Sequence, residues 1–187
     1  MRKLKLQMQQ TVDGYVAGIN GELDWMTFGT DEELSKFVNS LTDTSDTIIL
    51  GRKMTEGFIN YWEGVVNNQP DSEEFSFGEK MVNTPKIVFS KTLKNISGKN
   101  LMVENGDLVT AINKLKNKSG KDILVYGGAS FVSSLLKNNL IDELNLFVNP
   151  VAIGKGMRIF VDRTNLKLVT TKAFECGEVV LQYKVNN

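Results

Sequence analysis

The sequence predicts a single α/β domain over residues 1–187, a three-layer α/β/α sandwich whose mostly parallel sheet has an antiparallel edge. Three observations support this prediction. Short apolar runs alternate with one-sided helical segments through the middle of the chain. These runs are continuous, which is typical of strands covered by helices on both faces. Near the end of the chain, apolar and polar residues alternate and no helical pattern is present, which predicts an antiparallel pair of strands.

The first elements are a strand and a capped helix. Apolar and polar residues alternate loosely over residues 4–11, which predicts the first strand. The turn signal Asp13-Gly14 follows it. Thr30, with Glu33 three residues later, matches a capping box at a helix start. Apolar residues follow at helical spacing, namely Leu34, Phe37, Val38 and Leu41.

Two further strands lie in the next part of the chain. Residues 47–50 predict a short buried strand, and a helix follows Gly51-Arg52-Lys53. Residues 63–76 are polar and predict a loop or a weak helix. Pro85 sets off another short strand at residues 86–89.

The remaining strands are predicted at residues 101–103, 123–126, 144–148, 166–174 and 179–185. Asp107 can cap a helix between the first two of these. Gly127-Gly128 leads into an amphipathic helix after the second. The last two strands flank a turn at Gly177, so they form the predicted antiparallel pair.

Composition excludes several classes of function. The 22 basic and 22 acidic residues balance, so no net field favours a nucleic-acid partner. Neither a membrane span nor a signal-peptide core is evident, and a single cysteine fits a reducing compartment, so we expect a cytoplasmic protein. Since the chain has no histidine, Ser-His-Asp catalysis and His-containing metal sites are excluded, and we expect no bound metal. Proton transfer must use Asp, Glu, Lys, Tyr or water.

Three of the predicted strands end in residues suited to anions: Gly51-Arg52-Lys53, Ser90-Lys91 and Gly127-Gly128. Ligands of open α/β sheets bind beyond the carboxyl ends of the strands, and helix N-termini attract phosphate. Any one of these segments is more simply an ordinary turn, but the coincidence of three favours a pyrophosphate site with further phosphate contacts. Gly154-Lys155-Gly156 has no helix after it, so the Rossmann fingerprint is absent.

Carboxylates and aromatic residues near the loop after the first strand are candidates for the substrate side. Glu33 could orient a polar heterocycle or relay a proton if it is buried, although the capping box also explains it. Asp31 could contact substrate or merely complement the helix dipole. Trp25 lies in a loop where it could form the wall of a cleft.

Four motifs, in order along the chain, resemble the dihydrofolate-reductase-like superfamily and especially its riboflavin-biosynthesis reductase branch, the RibD C-terminal domain family. That branch typically has Ser-hydrophobic-Asp-Gly in the first motif, where this chain has Thr11. The most specific match is the fourth, which begins at Val125 and ends at Gly156. The motifs occupy residues 10–17, 48–54, 85–91 and 125–156.

The resemblance implies an eight-stranded, mostly parallel sheet, often in a homodimer, with NADPH bound across the strand ends. It places Gly51, Arg52 and Lys53 at the phosphates and Ser90 and Lys91 near the adenosine 2′-phosphate. It assigns the pyrophosphate to Gly127, Gly128, Ala129 and Ser130, and places Ala17 beside the nicotinamide. Residues 33–37 match the spacing around the buried acid of dihydrofolate reductases, which makes Glu33 the candidate acid.

The first hypothesis is therefore an NADPH-dependent reductase that transfers hydride to a C=N or C=O carbon of a small heterocyclic substrate. The resemblance implies 5-amino-6-(5-phosphoribosylamino)uracil reductase, with dihydrofolate reductase as the alternative. A hypothesis of another class is a nucleotide-binding module without turnover, which would keep the phosphate sites and need no acid at Glu33.

Overall fold

The computed structural model describes residues 1–26 and 31–186, and this part of the chain contains eight strands and five helices. The strands are β1 Leu4–Thr11, β2 Ser45–Gly51, β3 Lys86–Phe89, β4 Leu101–Glu104, β5 Asp122–Gly127, β6 Glu143–Asn149, β7 Leu166–Ala173 and β8 Val179–Val185. The helices are α1 Glu32–Asp43, α2 Arg52–Asn68, α3 Phe75–Asn83, α4 Leu108–Lys116 and α5 Ala129–Lys137.

All eight strands form one sheet in the order β4-β3-β2-β5-β1-β6-β8-β7. The first six strands in sequence are parallel to one another, whereas β8 pairs antiparallel with both β6 and β7. This confirms the predicted fold class, including the antiparallel C-terminal pair.

Helices cover both faces of the sheet. On one face, α4 and α5 pack their apolar residues on alternate positions of the central strands, such as Leu4 and Leu6 of β1. On the other face, α1 packs around Phe147 of β6, and α2 and α3 pack around Leu50 of β2 and Leu124 of β5. The continuous apolar runs of β2 and β5 follow from this burial on both faces.

The start of α1 differs from the sequence prediction. Its N-cap is Asp31, whose side chain accepts a hydrogen bond from the N–H of Leu34 at 2.9 Å. Thr30, the cap expected from the capping box, lies outside the described residues. For α4 the prediction is confirmed, because Asp107 accepts from the N–H of Thr110 at 2.9 Å.

The polar stretch at residues 63–76, expected to be a loop or a weak helix, contains both helix and loop. Helix α2 continues to Asn68, and α3 begins at Phe75. Gly78 in the middle of α3 allows a close approach to α2, since a Cβ there would lie 3.2 Å from Val65. Helix α3 therefore depends on tertiary contact that the local sequence pattern does not encode.

The C-terminal end of α3 is capped by a buried lysine. Nζ of Lys86 donates to the carbonyls of Met81, Val82 and Thr84, each at 2.8 Å. The Lys86 side chain, in the first position of β3, thus ties the end of α3 to the sheet.

No helix among the described residues is both long enough and apolar enough to cross a membrane.

Candidate active site

The three glycine- and serine-bearing turns lie side by side at the carboxyl edge of the sheet. In the register, Gly51 is opposite Phe89, the residue before Ser90, and Leu50 is opposite Gly127. The chain leaves β2 toward β3 and leaves β5 toward β6, which are opposite directions along the sheet. The gap between β2 and β5 is therefore a topological switch point, where open α/β sheets bind ligands.

The two helices that start at this switch point have no capping side chain. Their N-caps are Gly51 for α2 and Gly128 for α5, so the N–H groups of both first turns face the crevice without a side-chain acceptor. Neither first turn has an acidic residue. By contrast, α1 and α4 are capped by Asp31 and Asp107. Helix α3 also lacks a side-chain cap, but it follows a loop rather than a strand end.

Gly51 brings the two helix starts together. A Cβ at this position would lie 2.7 Å from Cβ of Phe131 and 3.4 Å from the backbone nitrogen of Gly128. Phe131 in turn stacks on Phe89, with ring centroids 5.2 Å apart. Gly127 has a φ of 135°, a conformation that favours glycine, and the peptide bond between Gly127 and Gly128 is cis. The glycines thus allow the backbones of the two turns to pack closely, since a Cβ at Gly127 would lie 3.2 Å from the sulfur of Met54.

Basic residues follow two of these strand ends. Arg52, Lys53 and Lys91 are exposed and make no ion pair within the described part of the chain. The hydroxyl oxygen of Ser90 accepts from the N–H groups of Thr92 and Leu93 at 3.2 and 2.9 Å, which fixes the turn after β3. With Ser130 also exposed in the first turn of α5, the edge combines N–H donors, hydroxyls and positive charge, a suitable set for phosphates.

The loop after β1 is fixed to the loop after β6. The carboxylate of Asp13 accepts from the hydroxyl of Thr11 at 2.6 Å and from the N–H of Gly154 at 2.7 Å, and these hydrogen bonds lower its pKa. Gly156 packs on the backbone of Ala17, since a Cβ there would lie 2.2 Å from the Ala17 carbonyl oxygen. Gly156 therefore permits close backbone packing beside the predicted nicotinamide position.

The two predicted substrate residues, Trp25 and Asp31, have different surroundings. The indole Nε1 of Trp25 is buried and has no hydrogen-bond partner among the described residues. Asp31 accepts from the N–H groups of Leu34 and Cys176 at 2.9 and 3.2 Å. These hydrogen bonds, that of Leu34 first, lower the pKa of Asp31 and favour its charged form.

Glu33 is not buried, which corrects the burial expected for it. Its side chain is 69% exposed, and its carboxylate lies 3.4 Å from Nζ of Lys172 on β7. The reason is the helix phase, because Leu34 takes the inward position in the first turn of α1. A catalytic role of Glu33 stays a prediction, now for an exposed carboxylate in the first turn of α1.

The structure adds polar residues that the sequence interpretation missed. Gln9 of β1, Asn149 of β6 and Glu178, just before β8, form a hydrogen-bonded cluster beside the start of α1. The only local signal was the unusual polarity of β1, which carries Gln7, Gln9 and Gln10. The hydrogen bond from Asn149 to Gln9 joins residues 140 positions apart in the sequence.

One groove lies away from the glycine turns. This groove, of about 610 Å³, runs between α5 and the segment before β7, and its lining includes Lys137, Ile159 and Arg163. None of the predicted site residues lines it.

Comparison with known proteins is consistent with this geometry. The family model described as "RibD C-terminal domain" matches residues 2–181. The chain is 36% identical over 189 residues to "Uncharacterized protein YyaP" of Bacillus subtilis (strain 168), covering 99% of this chain and 96% of the relative.

More distant relatives carry a riboflavin-biosynthesis name. "Riboflavin biosynthesis protein RibD" of Aquifex aeolicus (strain VF5) is 26% identical over 175 residues, covering 83% of this chain and 48% of the relative. The solved structure of RibD from Acinetobacter baumannii superposes with a TM-score of 0.73 at 18% identity, covering 100% of this chain and 59% of that one. This structural likeness shows a shared fold. With a family model that matches nearly its whole length, the chain belongs to the RibD C-terminal domain family.

Proposed function

We propose that this protein is an NADPH-dependent reductase of a small heterocyclic substrate. The observation that carries the proposal is the pair of uncapped helix N-termini, at Gly51 and Gly128, on neighbouring strands of the switch point. Two such N-termini suit the two phosphates of a dinucleotide. Unpaired basic side chains beside them suit a cofactor with a third phosphate.

The residues at the carboxyl edge of the sheet would bind NADPH as follows. The first-turn N–H groups of α2 and α5 would bind the pyrophosphate, with Gly127, Gly128, Ala129 and Ser130 on one side and Gly51, Arg52 and Lys53 on the other. Ser90 and Lys91 would contact the 2′-phosphate, and the guanidinium of Arg52 would lie between it and the pyrophosphate. The loop at Ala17, held by Gly156, would border the nicotinamide.

The proposed reaction reduces a C=N or C=O bond. When bound, NADPH supplies the hydride to the carbon, and a proton must reach the nitrogen or oxygen so that a C–H and an N–H or O–H bond form. The protein positions the two partners and excludes water, with Trp25 as a wall of the cleft and Asp31 as a fixed negative charge. The exposed Glu33 is the candidate for passing the proton from solvent.

For the substrate, we propose the 5-amino-6-(5-phosphoribosylamino)uracil type. The family supports this proposal, and so do the names of its distant relatives, although the chain spans only about half the length of the RibD protein of Aquifex aeolicus. We also propose a homodimer, as the family resemblance implies. Sedimentation velocity will show a single species of twice the chain mass if this is right.

Cofactor binding is tested by titrating NADPH and NADH against the native protein and two arginine variants. We expect Arg52→Ala to weaken NADPH by about 10- to 100-fold, because a charge-assisted contact is lost, and to weaken NADH less. Arg163→Ala, an exposed arginine in the separate groove, is the matched control and should leave both affinities unchanged. If the native protein does not bind NADPH up to about 1 mM, the proposal is wrong.

Turnover is tested by following NADPH absorbance with the ribosylaminopyrimidine and then with dihydrofolate. Consumption with the first supports the proposed substrate, and consumption with dihydrofolate alone assigns the other reductase activity. Binding of NADPH with no turnover of either would favour a nucleotide-binding module. The variant Glu33→Gln then decides the role of Glu33: loss of activity with intact NADPH binding assigns it the proton transfer, and full activity leaves it with no part in the chemistry.

A further inference from the structure

The loop that follows β1 lies beside the turn proposed for the pyrophosphate. Strands β3, β2, β5 and β1 are neighbours in that order, and because they are parallel their carboxyl ends share one edge. Met8 of β1 is close to this turn, since a Cβ added to Gly127 would lie 3.4 Å from Cε of Met8. A dinucleotide with its adenosine at β3 and its pyrophosphate at β2 and β5 therefore extends its nicotinamide over the end of β1.

The carboxylate of Asp13 joins this loop to the loop after β6 through both of its oxygens. Oδ2 accepts from the N–H of Gly154 at 2.7 Å. Oδ1 accepts from the hydroxyl of Thr11 at 2.6 Å and from the N–H of Ile153 at 3.4 Å. The hydroxyl oxygen of the fully buried Thr11 accepts in turn from the N–H of Tyr15 at 3.0 Å. One side chain thus holds the turn at the end of β1 and the loop that faces it.

Backbone pairing carries this constraint to Ala17. The N–H of Val16 donates to the carbonyl of Met157 at 2.9 Å, and the N–H of Met157 donates to the carbonyl of Ala17 at 2.8 Å. Asp13 is three residues before Val16, and its partner Gly154 is three residues before Met157. The carboxylate and the backbone pair therefore close the two ends of the same short stretch, so the position of Ala17 depends on both.

We propose that Asp13 is a positioning residue for the nicotinamide end of NADPH, because it fixes the backbone at Ala17 against the loop after β6 before the cofactor binds. This assignment rests on the proposed function, since it takes NADPH as the ligand. A segment that is ordered in advance loses less conformational entropy on binding, so loosening this segment weakens the affinity. Loosening also displaces the ring, and a misplacement of about 1 Å slows transfer of the hydride by about 100-fold.

An amide replaces this carboxylate only in part. The side chain of Asp13→Asn has one oxygen and one NH₂ group. Its oxygen can accept from the N–H of Gly154, and the hydroxyl of Thr11 can then donate to the carbonyl of Tyr15, which lies 3.3 Å away. Because a neutral acceptor forms a weaker hydrogen bond than a carboxylate, Asp13→Asn keeps a weakened link between the loops, whereas Asp13→Ala removes it.

Titration with two ligands separates this role from general damage to the site. Adenosine 2′,5′-bisphosphate has the adenosine end and the 2′-phosphate of NADPH and lacks the nicotinamide. We expect Asp13→Ala to weaken NADPH by about tenfold and to bind the bisphosphate within about twofold of the native affinity. Asp13→Asn should weaken NADPH by less than Asp13→Ala does, and it replaces Asp13→Ala if that variant does not fold.

The matched control is Asp122→Ala at the opposite end of the sheet. Asp122, at the start of β5, also accepts from a backbone N–H, that of Lys3 at 2.9 Å, and it pairs with Lys5 at 2.7 Å. Its loss should lower the stability of the protein through contacts like those of Asp13. Both affinities of this variant should stay within about twofold of the native values.

Hydrogen exchange without cofactor tests the positioning itself. The amides of Val16 and Met157 are hydrogen-bonded between the two loops, so they should be protected in the native protein. In Asp13→Ala both amides should exchange about tenfold faster, because the stretch that holds them opens more easily. In Asp122→Ala they should exchange at the native rate.

The inference is overturned if the folded Asp13 variant binds NADPH as the native protein does, or if its two amides exchange at native rates. Equal weakening of NADPH and the bisphosphate also overturns it, because that result shows damage beyond the nicotinamide end. A native protein that does not bind NADPH refutes the proposed function and this assignment together. Normal binding by the native protein with no effect of the variant refutes the role of Asp13 alone.

Discussion

The variant Gly51→Ala tests how closely the two helix starts must approach each other. The backbone at Gly51 has φ −79° and ψ 139°, which alanine adopts without strain, so any effect comes from the added methyl group. That group would lie 2.7 Å from Cβ of Phe131, whereas ordinary contact begins near 3.4 Å, so the two elements must separate by 0.7 Å. Rotation of the Phe131 ring cannot relieve the clash, because Cβ is fixed to the α5 backbone.

Overpacking of this kind costs about 1–3 kcal/mol of folding free energy. For a chain of this size, each kcal/mol lowers Tm by about 2–4 °C. Separation of the N-termini also takes donors out of hydrogen-bond range of a shared pyrophosphate. We therefore expect NADPH affinity to fall by about 10- to 100-fold in the folded variant.

The assays are urea unfolding and NADPH fluorescence titration, with Gly57→Ala as the matched control. Gly57 lies in α2, and a Cβ added there would meet no packed neighbour within 4 Å. Alanine at this position should therefore stabilise the helix by about 0.5–1 kcal/mol and leave NADPH binding intact. If Gly51→Ala unfolds and binds NADPH like Gly57→Ala, the close approach is not required and the reasoning is refuted.

Three further predictions concern stability. Gly156→Ala should lower the free energy of unfolding by about 1–3 kcal/mol in urea melts, because its Cβ would lie 2.2 Å from the Ala17 carbonyl oxygen; a native-like melt would contradict this contact. Lys86→Met should cost about 1–3 kcal/mol by leaving three carbonyls at the end of α3 without their donor. Burial lowers the pKa of Lys86 to about 8, so the unfolded chain binds that proton more tightly than the native protein does. The free energy of unfolding of the native protein should therefore rise relative to that of Lys86→Met as pH increases above 8. If the difference in unfolding free energy between the two proteins does not change with pH, the buried ammonium is contradicted. Because burial raises the pKa of Glu178, the free energy of unfolding of the native protein should fall as pH rises through that pKa. The Tm of Glu178→Gln should therefore exceed that of the native protein by more at about pH 8 than at about pH 4. An equal difference in Tm at both pH values would contradict the burial of Glu178.

Most of the sheet could be predicted from the sequence because its signals are local. The strands of the parallel core are short apolar runs, and the C-terminal pair alternates around Gly177. The glycine and basic residues that end β2, β3 and β5 could be predicted as neighbours, since carboxyl ends of parallel strands share one edge.

Features that depend on contacts between distant segments could not be predicted. Helix α3 has a glycine at its centre and forms because it packs on α2. The exposure of Glu33 depends on the helix phase set by the Asp31 cap. The cluster of Gln9 with Asn149 and Glu178 joins β1, β6 and the turn before β8, whose polar residues show no pattern along the chain.

A crystal structure of the complex with NADPH measures the central claim most directly. We predict that the pyrophosphate oxygens lie within hydrogen-bond distance of backbone N–H groups in the first turns of both α2 and α5, with Arg52 or Lys91 at the 2′-phosphate. A cofactor bound instead in the groove beside Arg163, with the turns at Gly51 and Gly128 unoccupied, would contradict it.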